Sequence, residues 1–302
     1  MNEVYDVVIV GTGPAGLGAG IYAGRYMMKT LVVGELPGGT IAEAHKVCNF
    51  PTYKEISGME LSQKMMEQVR EIGVDIKLER VEEISKSEGV FEVRTSRNSY
   101  RARSVIIATG SKKRKLEIKG EDEFLGKGVS YCATCDAGFF KDKVVAVVGG
   151  GDAALTAALL LAEYAKKVYI VYRKEKFFRA EPSWIKQVEL NEKIEPVFNS
   201  TIKEILGGEK VEKILLDSGK ELDVDGVFVE IGLIPITALA EGLGVELEEG
   251  HIKVNKKMET NVEGVYAAGD ITNGPLKQAI TAAADGAIAA TSAYNYVSEK
   301  KS

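Results

Sequence analysis

The sequence predicts an α/β fold with two Rossmann-like dinucleotide-binding domains, and three observations carry that prediction. An apolar run at residues 5–10 enters the turn Gly11-Thr12-Gly13-Pro14-Ala15-Gly16. A second apolar run at 143–148 enters Gly149-Gly150-Gly151-Asp152-Ala153-Ala154. Each turn opens a helix-compatible stretch that is followed by another apolar run, so a strand–glycine turn–helix–strand unit is built twice. One GxGxxG is weak evidence; the same unit repeated in one chain is far more specific and implies two separate dinucleotides.

The bulk numbers agree. A chain of 302 residues is long for one core and natural for two domains. With 45% hydrophobic and 27% charged residues it is expected to fold rather than stay disordered. A formal net charge of -5 argues against nucleic acid or an anionic membrane as the main partner. No apolar run approaches the ~20 residues that span a bilayer. The first six residues run straight into a strand without the basic and apolar regions of a signal peptide. Three cysteines, Cys48, Cys132 and Cys135, give one close pair and one spare, which is no disulfide framework, so a cytoplasmic location is expected.

In the first unit, Gly11 permits the tight turn, Gly13 lets the backbone approach a pyrophosphate, and Gly16 lets helix and strand pack closely. A helix is expected over 17–28 and a second strand over 29–33. Glu35, nineteen residues after Gly16, is either the acid that holds an adenosine ribose or a solvated loop carboxylate. Pro37-Gly38-Gly39-Thr40 and Cys48-Asn49-Phe50-Pro51 are loop punctuation. An amphipathic helix over 57–73 and strands near 90–94 and 104–108 follow, the last ending in Ala108-Thr109-Gly110. The basic run at residues 112–115 is expected to be a solvated linker.

Next comes Tyr131-Cys132-Ala133-Thr134-Cys135-Asp136. A CxxC pair in a reducing compartment usually cycles between dithiol and disulfide, and the start of a helix lowers a thiol pKa. Asp136 is either the proton carrier for a departing thiolate or a helix cap. Zinc would need four ligands; no second CxxC exists, and His45, Cys48 and His251 are scattered. Cys48 is expected to be a small buried side chain.

In the second unit a helix is expected over 155–165 and a strand over 168–172. The basic Arg173, Lys174 and Arg179 beyond that strand suit a 2′-phosphate and favour NADPH, while Glu175 would suit a ribose hydroxyl and leaves NADH open. A buried strand near 264–268 ends in Gly269-Asp270, and an alanine-rich helix is expected over 277–297.

In this order the pieces resemble the low-molecular-weight thioredoxin reductases over essentially the whole chain. The resemblance is carried by Gly11 to Gly16, Pro37-Gly38-Gly39, Asn49, Ala108-Thr109-Gly110, the CATCD of residues 132–136, Gly149 to Ala154, Arg173 with Arg179, Gly264 to Asp270, and Lys277-Gln278-Ala279. Tyr172 and Lys174 stand where NADPH-dependent members usually have His and Arg, and Thr40 stands where Gln is usual. The resemblance implies an FAD domain of residues 1–116 and 248–302, interrupted by an NAD(P)H domain at 117–247. It implies FAD contacts from Gly11, Gly13, Pro14, Ala15, Gly16, Glu35, Gly39, Thr40, Asn49 and Ala108-Thr109-Gly110. Further contacts come from Gly269, Asp270, Lys277, Gln278 and Ala279. It implies NADPH contacts from Gly149, Gly151, Asp152, Ala153, Ala154, Arg173, Lys174 and Arg179. Electrons would pass from NAD(P)H through FAD to the Cys132–Cys135 disulfide, with Cys135 nearest the flavin and Cys132 the exposed sulfur that attacks. The substrate would be a thioredoxin or glutaredoxin-like protein and the assembly a homodimer. A ferredoxin-fed flavoprotein of the same build and a non-enzymatic redox sensor are the competing readings.

Overall fold

The apolar run expected to be the first strand is strand Val4–Val10, and it lies inside a seven-stranded sheet. The computed structural model describes residues 4–301. It divides into two compact units: Met1–Lys112 with Pro235–Ser302, and Lys113–Ile234.

In the first unit, strands Asp75–Leu78, Thr30–Gly34, Val4–Val10 and Ser99–Ile107 lie parallel in that order. Strand Ser99–Ile107 is long enough to serve two more neighbours. Its first half pairs antiparallel with Val90–Thr95, and its last residues pair parallel with Val265–Ala267. Val7 and Ile9 feed the cluster under the helices, and Val8 and Val10 feed the opposite cluster. Both faces are covered, which is why the run is apolar throughout rather than alternating.

Helix Pro14–Arg25 starts three residues before the expected position because Pro14 takes the first helical place, where its missing N–H costs nothing. It ends early because Met27 turns left-handed, with φ 55°. Ser57 caps helix Gly58–Glu71, its Oγ accepting the Glu60 N–H at 3.1 Å. The C-terminal helix Ala279–Lys301 contributes Ala282, Ala289, Ala290 and Ala293 to the cluster that holds Ala19 and Ala23 of the first helix. Small side chains allow that close approach, which accounts for the alanine content.

The second unit has a five-stranded parallel sheet in the order Ile194–Phe198, Lys167–Tyr172, Val144–Val148, Gly226–Val229, Val129–Ser130. Pro196 is tolerated because its strand is an edge. A three-stranded antiparallel meander spans Ile202–Gly207, Val211–Leu216 and Glu221–Asp223.

The units change at 112/113 and 234/235, not at 116/117 and 247/248. Residues 235–247 belong with the first unit because Ala240 and Val245 are buried beside Ile84, Val93 and Ile252. The basic run is largely exposed, as expected, and the change of unit falls within it, but it is not irregular. Strand Ser111–Lys113 pairs with Leu233–Pro235, Lys113 reaches Glu230 at 2.9 Å, and Lys115 reaches Asp122 at 2.6 Å. Among the described residues no helix is long and apolar enough to cross a membrane.

Candidate active site

The first glycine turn is a point of convergence within its unit. A Cβ built on Gly11 would stand 2.0 Å from the Ala108 carbonyl oxygen, and one built on Gly39 would stand 2.6 Å from the Gly13 Cα. Gly39 also has φ 68°, so the approach of the Pro37–Gly39 loop to the first turn demands glycine twice over. Asn49 Nδ2 donates to Gln278 Oε1 at 3.1 Å, joining two loops 229 residues apart. Gly13, the N-cap of the first helix, offers no side-chain cap, and the first turn holds no acid. The helix therefore presents unclaimed N–H groups and its positive end on a floor of backbone, a setting that fits a pyrophosphate.

Beside this turn lie three buried or half-buried charges. Asp270 follows strand Val265–Ala267, and burial raises its carboxyl above the ordinary range against the pull of Lys277 and His251. Lys277 donates to the Thr272 carbonyl, and burial lowers its ammonium pKa. Asp285 accepts the Gly269 N–H on Oδ2 at 3.3 Å and is raised in turn by burial. Lys277 and Gln278 precede helix Ala279–Lys301 instead of lying in it; Thr281 Oγ1 accepts the Gln278 N–H at 3.2 Å and sets that boundary. Asp285 is not among the residues that the sequence singles out. Its signal is a lone acid in the alanine run at 282–287. Thr109 Oγ1 donates to the Ile236 carbonyl at 2.9 Å. Glu35 lies just past strand Thr30–Gly34 and is exposed, and so is Thr40; the contacts that join Gly11, Gly13, Gly39, Asn49 and Gln278 do not include them.

In the second unit, Gly149 packs on Glu230, Gly150 lies under the Tyr172 ring, and Gly151 faces open space. Gly151 is the uncapped start of helix Asp152–Tyr164, which begins three residues before the expected 155. Asp152 Oδ1 accepts the Glu181 N–H at 2.6 Å, fixing the loop that carries Arg179. Ala153 is exposed and Ala154 fully buried. Arg173, Lys174 and Arg179 are all exposed, and Arg179 lies over the Phe178 ring at 5.7 Å. The open glycine at a helix start suits the phosphates of a dinucleotide. A Cβ on Gly150 would strike the Tyr172 ring at 2.4 Å, and Tyr172 is itself stacked on Phe177. Gly150→Ala is therefore expected to cost about 1–3 kcal/mol, seen as a lower melting temperature.

Cys132 and Cys135 form a disulfide with Cα atoms 5.3 Å apart. Cys132 caps the turn Ala133–Asp136, its Sγ accepting the Cys135 N–H at 3.2 Å, and its own N–H donates to Ser130 Oγ at 3.0 Å. This inward fixing leaves Cys132 half-buried and Cys135 exposed, the reverse of the exposure expected from the resemblance. Asp136 is half-buried, and its N–H donates to the Cys132 carbonyl at 3.2 Å. Phe139, one turn on, is 74% exposed. Cys48 is exposed rather than buried: Val47 takes the inward position in its bridge to Ile56, so its neighbour faces out. Among the described residues no group of three or more His, Cys, Asp or Glu is placed to hold a metal ion.

Comparison with known proteins places this geometry. The family model described as pyridine nucleotide-disulphide oxidoreductase matches residues 5–286. A thioredoxin reductase of Bacillus subtilis is 40% identical over 305 residues, covering 99% of this chain and 96% of that protein. The crystal structure of the Lactococcus lactis thioredoxin reductase superposes with a TM-score of 0.94 at 37% identity, over 98% of this chain and 99% of that one. A ferredoxin-flavin thioredoxin reductase from Clostridium acetobutylicum is 38% identical with a TM-score of 0.54, over 100% of this chain and 99% of that one.

Proposed function

Because this chain belongs to the pyridine nucleotide-disulphide oxidoreductase family, we propose that it is a thioredoxin-disulfide reductase that takes electrons from NADPH. The observation that carries the proposal is a surface turn holding the Cys132–Cys135 disulfide, in the same unit as an open glycine turn and the exposed cations Arg173, Lys174 and Arg179. Bound FAD would supply the two-electron acceptor between nicotinamide and disulfide. It would lie on the first glycine turn, its pyrophosphate on the N–H groups of the helix beginning at Pro14 and its ribityl hydroxyls on Asp270. Arg173, Lys174 and Arg179 would hold the 2′-phosphate of NADPH.

Two electrons and two protons convert the Cys132–Cys135 disulfide to a dithiol. Cys132 then attacks the partner's disulfide as a thiolate, for which the Cys135 N–H is the stabilising donor. The S–S bond of the partner breaks as the mixed disulfide forms. Asp136 passes a proton to the leaving thiolate. Cys135 attacks Cys132 in the mixed disulfide, which restores the internal S–S bond and releases the partner as a dithiol. The exposed Phe139 offers an apolar footing for that partner.

Anaerobic titration of the flavin-loaded protein tests the route. NADPH is expected to bleach the flavin, and an oxidised thioredoxin to restore its colour. Arg173→Ala with Arg179→Ala is expected to weaken NADPH about tenfold or more through lost charge-assisted bonds, with NADH little affected. If neither nucleotide bleaches the flavin, NADPH is overturned as the donor and a reduced ferredoxin takes its place, the donor for which the Clostridium acetobutylicum relative is named.

A further inference from the structure

The electron route leaves a buried carboxylate unused next to the dithiol. Glu121 is 2% exposed. Its Oε1 accepts the Leu116 N–H at 2.7 Å and also the Tyr131 hydroxyl; its Oε2 accepts the Glu117 N–H at 2.7 Å. Successive backbone N–H groups closing on one anion form a nest, and Glu117, at φ 59°, has the left-handed conformation such a nest uses. A carboxylate so buried persists only while its donors stay in place. Tyr131 is therefore held firmly, and burial together with Glu121 pushes its hydroxyl pKa upward, which keeps it a donor.

Tyr131 directly precedes Cys132. Around it the main chain is fixed twice more: Cys132 N–H donates to Ser130 Oγ at 3.0 Å, and Ser130 Oγ donates to the Cys132 carbonyl at 3.3 Å. The Cys132 sulfur, joined to Cys135 in the disulfide, accepts the Cys135 N–H at 3.2 Å; once the disulfide is reduced, the lead-in is what remains to hold it there.

We propose that Glu121 is a positioning residue for thiol exchange: by holding Tyr131 against the Leu116–Glu117 nest, it keeps the Cys132 sulfur on the Cys135 N–H. This role rests on the proposed function, with Cys132 as the attacking thiol. With the anchor gone, Cys132 spends less time on that donor, carries less thiolate at neutral pH, and reacts more slowly with any electrophile.

The test is site-resolved alkylation of the reduced, flavin-loaded full chain with iodoacetamide at neutral pH. Tyr131→Phe keeps the ring and both backbone donors on Glu121 but deletes the link; Glu121→Gln disturbs the nest itself. Each is expected to slow alkylation of Cys132 about three- to tenfold, the worth of one hydrogen bond. The double variant should be no slower than Glu121→Gln alone. If Glu121→Gln fails to fold, Tyr131→Phe decides. Cys132 reacting within about twofold of the parent in Tyr131→Phe, with only the melting temperature lowered, would show a purely structural pair and overturn the proposal. Alkylation of Cys135 first in the parent would overturn the choice of attacking thiol, and this proposal with it.

Discussion

Replacing Cys132 and Cys135 together by serine is expected to lower thioredoxin reduction by at least about a thousandfold, because no other covalent carrier takes their place. Serine is close in size, and a hydroxyl is far too basic to serve as the exchanging anion. The fold should survive. The pair closes a loop with a sequence separation of only 3, and short loops constrain the unfolded chain least. Flavin bleaching by NADPH should proceed at the parental rate, so the variant separates the two half-reactions. Single replacements add direction. Cys135→Ser leaves Cys132 to form a mixed disulfide that cannot resolve, whereas Cys132→Ser should trap little, although Cys135 is the more exposed. Trapping by Cys132→Ser instead would reassign the nucleophile. A double variant that reduces thioredoxin at the parental rate would remove the dithiol from the route.

The glycine turns were legible because their requirement is local. A backbone that must pass close to another backbone excludes any Cβ, and Gly11 and Gly39 show this directly. The same holds for the apolar strands buried on both faces, such as Val4–Val10 and Val144–Val148. Long-range choices were not legible. Nothing within residues 235–247 says that Ala240 and Val245 find their core beside Ile84 and Val93, on strands far earlier in the chain. The exposure of Cys48 depends on Val47 taking the inward position, which a single Cys-Asn-Phe-Pro stretch does not encode. Asp285 and Glu121 were hidden for another reason. Each is an acid whose value lies in donors that only the folded backbone turns toward it, Gly269 in one case and Tyr131 with the 116–117 turn in the other.

Asp270→Asn is expected to strengthen the flavin-free fold while weakening its hold on FAD. Burial lifts the Asp270 carboxyl above the ordinary carboxylate range, and Lys277 and His251 offset this only in part. A group whose pKa is raised on folding favours the protonated form in the native state. Its contribution is therefore present in acid, below the unfolded value, and is lost as pH rises through the folded value. At neutral pH the ionised side chain is a liability to the flavin-free protein, and asparagine removes it. The variant should then melt a few degrees higher at pH 7, about 1 kcal/mol, and the difference should shrink in acid, where both side chains are neutral. FAD binding should move the other way. The bonds that ribityl hydroxyls donate to a carboxylate are charge-assisted, and an amide oxygen replaces them poorly. Affinity should fall about ten- to a hundredfold, measured by flavin fluorescence on dilution. Asp285 shows the same sign: burial raises its carboxyl, the Gly269 N–H on its Oδ2 and Lys277 oppose that, and the charge of Asp270 adds to the rise. If Asp270 holds the ribityl chain as proposed, the acid at 270 trades stability of the empty fold for grip on the cofactor. A variant that melts lower at neutral pH yet binds FAD as tightly as the parent would show that Asp270 serves the fold and not the flavin.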